Sequence, residues 1–152
     1  MLYIFIENKN GGLKLKSKIF LISHGDFAEG LHKTLEMVAG PQENLFSFGL
    51  KGDITTKIIV ENIKKETKEN DFTIILGDLA GGSVCNEATS LLDNENCILI
   101  GGTNLPLLIE LVLARPDTKE KVRDIIKTSR SQLKEIKITE ISEENSLSEF
   151  LE

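Results

Sequence analysis

Three side chains in this sequence have the types and spacing to act on one another: His24, Asp78 and Ser83. His24 follows the apolar run IFLIS, Asp78 follows FTIILG, and Ser83 closes GDLAGGS. A carboxylate that accepts from one ring nitrogen of a histidine fixes the tautomer and leaves the lone pair of the other nitrogen free. The same carboxylate stabilises the imidazolium that forms when the free nitrogen takes an electrophile. Glycines surround these positions: Gly25, Gly77, Gly81, Gly82, Gly101 and Gly102. They permit close turns and let backbone amides approach a ligand, and Gly82-Ser83 at a helix start offers amides, a hydroxyl and the positive end of a helix dipole. Such an assembly suits a phosphoryl or other small anionic group. Each element alone is a weak signal, since a histidine after a strand is more often a hydrogen-bonded structural residue and GGS occurs in many loops that bind nothing. Their arrival at neighbouring strand ends is what carries the reading.

Those residues need strands to deliver them. Lys18–Ile22 and Phe72–Leu76 are short, apolar and β-branched, as expected of strands buried on both faces; Leu45–Phe48 and Cys97–Ile100 read as two more. Between them the apolar residues recur at helical spacing. One helix follows His24, with Asp26 as N-cap, Glu29 in the capping-box position and Phe27, Leu31, Leu35 and Val38 on its inner face; Gly40-Pro41 ends it. A second runs from about Ile54 to Glu69, capped by Asp53, with Ile54, Ile58 and Ile63 inward. The third starts near Ser83 and turns Val84, Ala88, Leu91 and Leu92 inward. A fourth starts near Pro106 and is apolar almost all round, and a last one covers Lys119 to Leu133. Glu135–Thr139, EIKIT, alternates as a short strand. Strands alternating with helices predict an α/β fold: a mainly parallel open sheet with helices on both faces and right-handed crossovers. In such sheets ligands bind at the carboxyl ends of the strands, where His24, Asp78 and Ser83 fall.

The chain has 152 residues, enough for one domain with a real core. The expected division is an N-terminal extension of residues 1–17, a domain over 18–141 and an acidic tail over 142–152. The formal charge is −6 and the Lys and Arg residues are dispersed among acidic ones, which argues against nucleic acid as a primary partner. No apolar run approaches the roughly 20 residues needed to span a bilayer, and a cytoplasmic location is expected. Cys85 and Cys97 lack any metal-ligand spacing and read as reduced, packed thiols. His32 reads as a surface residue without a role.

The segments LISHGDFAEGL, TLEMVAGPQENL, GDLAGGSVCNEA and GGTNLPLLIELVLAR together resemble the mannose-class enzyme IIA domain of the bacterial phosphoenolpyruvate-dependent sugar phosphotransferase system, from about Lys18 to Ile138. The resemblance implies a phosphotransferase that works as a phosphohistidine carrier. His24 would accept a phosphoryl group on Nε2 from the histidine phosphocarrier protein and pass it to an enzyme IIB, with membrane permease subunits further along the chain of transfer. Asp78 would orient the ring from Nδ1, and Ser83 with Gly25, Gly81 and Gly82 would hold the phosphoryl oxygens. No cofactor or metal is called for. Phe27 would stand at the rim of the docking surface. The resemblance also implies a homodimer in which a C-terminal strand, here Glu135–Thr139, adds to the partner's sheet. Two other readings are compatible with the residues: the phosphotransfer subunit of a dihydroxyacetone kinase, which shares an equivalent histidine, and a Ser83-His24-Asp78 hydrolase. A regulatory module that keeps the fold without the chemistry is a third.

Overall fold

The computed structural model describes residues 16–138; the expected N-terminal extension, except its last two residues, and the acidic tail lie outside that range. Four strands, β1 (Lys16–His24), β2 (Leu45–Leu50), β3 (Asp71–Gly77) and β4 (Cys97–Gly101), form one sheet in the order β2-β1-β3-β4, and every pairing is parallel. The sequence expectation of an α/β parallel sheet therefore holds. Helices α1 (Phe27–Ala39), α4 (Leu105–Ala114) and α5 (Lys119–Arg130) cover one face, and α2 (Thr56–Glu66) and α3 (Ser83–Ala88) cover the other.

Strand alternation explains the two layers. Ile19 and Leu21 of β1, with Phe72, Ile74 and Leu76 of β3, meet Ala28, Leu35, Leu108, Leu111 and Val122 on one side. Phe20, Ile22 and Ile75 meet Ile59, Ile63, Val84 and Ala88 on the other. Every residue of β3 is buried, the polar Asp71 and Thr73 included, as expected of a strand covered on both faces. Phe20 stacks on Phe46 and Phe48 of the neighbouring strand, ring centroids 5.1 and 6.4 Å apart.

The order places β1 and β3 side by side while their connections leave in opposite directions: β1 leads through α1 to β2 on one flank, and β3 leads through α3 to β4 on the other. Loops on either side of that reversal diverge and leave a crevice at the strand ends. His24 ends β1, and Asp78 directly follows β3.

Several local expectations shift. The inner face of α1 is Ala28, Leu31, Leu35 and Ala39, whereas Phe27 and Val38 are exposed. Helix α2 begins later than expected: Asp53 belongs to a turn closed by Ile54 N–H to Lys51 C=O, and Thr55 is the cap, its hydroxyl accepting from Ile58 N–H. That moves the inner face to Ile59, Val60 and Ile63. Helix α3 is only six residues long and passes into a 3₁₀ turn over Thr89–Leu91, which leaves Leu92 outside the core. Helix α4 is apolar but one side faces outward, with Leu113 exposed. Asn104 caps it, Pro106 lies in its first turn, and α5 stops at Arg130. Residues 135–138 form no strand; a strand needs a neighbour for its N–H and C=O groups, and none of the described segments pairs with them. Thr139 lies outside the described residues.

Candidate functional site

Side-chain parity sends His24 to the right place. It continues the Phe20–Ile22 side of β1, the face covered by α2 and α3, and Ser83 is the first residue of α3. The His24 ring lies between two partners: Nδ1 is 2.9 Å from Asp78 Oδ2, and Nε2 is 3.1 Å from Ser83 Oγ. An ionised carboxylate can only accept, so Nδ1 carries the proton, and Nε2 of the neutral ring then accepts from the Ser83 O–H. The Asp78 Oδ2 atom also accepts from the His24 backbone N–H at 2.8 Å. One carboxylate oxygen thus fixes both the backbone and the ring of the same residue. The ring remains 47% exposed and the Asp78 side chain 16%, so the histidine is open to a partner while its orienting group is covered.

The electrostatics favour an ionised Asp78. Burial works to raise the carboxyl; the His24 backbone N–H, its ring N–H and charge, and the Leu79 amide outweigh that, so it lies below its ordinary value.

The walls of the site come from the loops after each strand. Asp78 N–H donates to Ile22 C=O at 3.2 Å, and Thr103 N–H to Gly77 C=O at 3.1 Å, so the three strand ends are tied together. The turn Leu79–Gly82 closes through Gly82 N–H to Leu79 C=O at 3.1 Å and needs φ of +79° at Gly81, a conformation that glycine adopts without strain. A Cβ at Gly82 would come within 3.2 Å of His24 Cε1, so the missing side chain leaves the ring edge clear. Gly25 N–H donates to Leu50 C=O at 3.0 Å, which anchors the loop after His24 to the end of β2.

Sequence reasoning brought His24, Asp78, Ser83, Gly25, Gly81 and Gly82 to this crevice, and all are there. Asp26 occupies the N-cap position of α1, as expected, but its side chain is engaged elsewhere. Asp26 makes no capping hydrogen bond; Ser23 Oγ, fully buried, accepts from Ala28 N–H at 2.8 Å instead. Asp26 and Glu29 turn to Lys51, at 2.6 and 2.9 Å from its Nζ. These pairs hold the Asp26 carboxyl below its usual range and the Lys51 ammonium above its own. Gly49 was also missed, and a Cβ there would collide with Gly25 C=O. The Lys51 pairs and the Gly49 contact have no short-range sequence signal, because each joins α1 or the loop before it to the end of β2. His32 is outside the site but is not a free surface residue: Nδ1 is 3.0 Å from Ser47 Oγ and Nε2 3.4 Å from Glu36, so it links α1 to β2. Both cysteines are unpaired and buried; burial pushes the Cys97 thiol up to about 11. Among the described residues no helix is long and apolar enough to cross a membrane.

A doubly wound parallel sheet with a histidine at a strand end, held by a carboxylate on one nitrogen and a hydroxyl on the other, defines a class of small α/β domains with an oriented imidazole at the carboxyl edge of the sheet. Within that class the chain belongs to the EIIA-man family, described as the PTS system fructose IIA component, whose model matches residues 18–129. It is 32% identical over 126 residues to the PTS system mannose-specific EIIAB component of Escherichia coli K12, covering 78% of this chain and 39% of that protein. The chain therefore spans about two fifths of that relative. The PTS system fructose-specific EIIA component of Bacillus subtilis is 28% identical over 101 residues, covering 64% of this chain and 69% of that one. Among solved structures, phosphotransferase system component EIIA from Streptococcus agalactiae superposes with a TM-score of 0.72 at 25% identity, covering 78% of this chain and 96% of that one. The mannose-class enzyme IIA resemblance read from the sequence is thereby shown, and with it a place among sugar phosphotransferase components.

Proposed function

We propose that the protein carries a phosphoryl group on His24 Nε2, taking it from the histidine phosphocarrier protein and passing it to an enzyme IIB that serves sugar uptake through membrane permease subunits. The observation that carries this reading is the two-sided hold on the ring: Asp78 on Nδ1 at 2.9 Å and Ser83 on Nε2 at 3.1 Å, with the ring half exposed. In transfer, the Nε2 lone pair forms the new N–P bond as the donor's N–P bond breaks, and the electron pair returns to the donor imidazole. The transition state is loose and highly charged, so positioning and electrostatics govern the rate. Asp78 stabilises the positive charge that develops on the ring. Ser83 is the one group that must change partner: its hydroxyl turns from Nε2 to a phosphoryl oxygen, and Gly25, Gly81 and Gly82, lacking side chains, leave room for the others. Phe27, about half exposed at the start of α1, belongs to the docking rim. The work is done in the cytoplasm by a homodimer.

Incubation with phosphoenolpyruvate, enzyme I and the histidine phosphocarrier tests this. Acid-labile label is expected on His24 and absent from His24→Ala; equal labelling of the two, or none with competent partners, removes the reading. A second reading rests on the same contacts, since Ser83, His24 and Asp78 are connected as in a hydrolytic triad. It requires ester hydrolysis abolished by Ser83→Ala, whereas a carrier with that substitution still labels, more slowly. A genomic neighbourhood with kinase rather than sugar permease subunits would point to the dihydroxyacetone kinase subunit instead.

A further inference from the structure

Gly77 is the last residue of β3, directly before Asp78, and Cys85 lies two residues after Ser83 in α3. Asp78 and Ser83 hold opposite nitrogens of His24, so whatever passes between Gly77 and Cys85 sets the distance between the two arms of that hold. The Cys85 thiol packs against Gly77 where a side chain would otherwise stand. A Cβ at Gly77 would fall inside the van der Waals envelope of Cys85 Sγ, while Cys85 Cβ and Ile100 O would each be at an ordinary 3.7 Å. The sulfur therefore fills the volume that a side chain at position 77 would take. Cys85 is 5% exposed, and inside a helix its thiol has few alternative rotamers.

We propose that Gly77 and Cys85 are a matched pair of positioning residues that fixes the separation of Asp78 and Ser83 across the His24 ring. The inference rests on the carrier reading of His24 and extends it to two residues that never touch the phosphoryl group. A methyl at position 77 pushes α3 away from the sheet and draws Ser83 Oγ off Nε2. It leaves the other arm in place, because Asp78 is held through Ile22 C=O and the His24 backbone N–H. The defect is thus one-sided. Removing the sulfur returns the room, since the Cys85 Cβ already lies at contact distance from the added methyl.

The test compares wild type, Gly77→Ala, Cys85→Ala and the double variant in the full chain. Transfer from the histidine phosphocarrier is followed by rate, and the His24 ring by ¹⁵N NMR in unphosphorylated protein. For Gly77→Ala transfer is expected to slow about tenfold or more, the scale of a misplaced reacting group, with the KM for the donor unchanged. Its Nε2 resonance should lose the signature of the Ser83 hydrogen bond while Nδ1 keeps its proton. The double variant should recover to within about threefold of the Cys85→Ala reference, as compensating neighbours do. A wild-type rate for Gly77→Ala, or a double variant as slow as Gly77→Ala, overturns the pairing. Should Gly77→Ala fail to fold, a folded and active double variant supports the pairing and an unfolded one overturns it. Absence of label on wild-type His24 would instead remove the carrier reading, and the NMR comparison would still decide the pair.

Discussion

At His24 the chemistry depends on which nitrogen is free, and Asp78 decides that. Replacing Asp78 by Asn keeps the shape but substitutes an amide whose NH₂ and C=O can each face Nδ1, so the tautomer is no longer fixed and the developing charge loses its counter-ion. Asp78→Asn should slow phosphoryl uptake by about tenfold or more while the circular dichroism spectrum stays unchanged; wild-type kinetics would take Asp78 out of the mechanism. The same carboxyl links stability to acidity. Its folded-state value is depressed below the unfolded one, so the unfolded chain binds the extra proton first and stability rises with pH through that window. The contribution is fully present above the ordinary Asp value of about 3.9 and is lost as pH falls through the lower folded value. Chemical denaturation from pH 3 to pH 6, roughly the span around that ordinary value, should show a flatter dependence in Asp78→Asn than in wild type.

The elements show which parts of this arrangement were legible before any coordinates. Strands β1 and β3 announce themselves because a strand buried on both faces must be largely apolar, and Ile19–Ile22 and, Thr73 apart, Phe72–Leu76 are. Their parallel direction follows from the alternation with helices, whereas their adjacency, which brings His24 to Asp78, is a property of the folded sheet. What could not be read is everything that depends on a contact across elements. Asp26 fits the cap of α1 by local rule, yet Lys51, twenty-five residues on, draws it away, and Ser23 inside the strand takes over. Ser23→Ala leaves the buried Ala28 N–H without its acceptor, and loss of such a cap costs about 1–2 kcal/mol. A drop of that size in urea denaturation, with β-sheet content retained, is the expected outcome. Gly49 was equally invisible, since its role is to let Gly25 C=O lie against β2. Gly49→Ala should displace the loop after His24 and slow transfer more than it lowers the melting temperature, whereas a purely structural glycine would show the reverse.

At the scale of the molecule, one edge of the sheet and one apolar segment lack partners among the described residues. Among the described residues β4 pairs with β3 alone, and beside it lies a cleft of about 510 Å³ lined by Ile98, Ile100, Leu107, Ile126, Arg123 and Arg130. Beyond α5, Ile136 and Ile138 alternate with Glu135 and Lys137 and are 74% and 87% exposed. Such alternation fits a strand with one apolar face, and an open edge of this kind invites pairing with another chain. Among the described residues the segment has no strand partner. In a symmetric pair each copy can supply the strand that the other's edge lacks, so the closed dimer satisfies both at once. We therefore expect the protein to sediment as a dimer, and the double substitution of Ile136→Asp and Ile138→Asp to shift it toward monomer. Asp78 and Ser83 of the same chain hold the His24 ring, so the monomeric variant should still take label on His24 from the phosphocarrier. A wild-type chain that sediments as a monomer, or a variant that stays dimeric, would show that these residues do not join two copies.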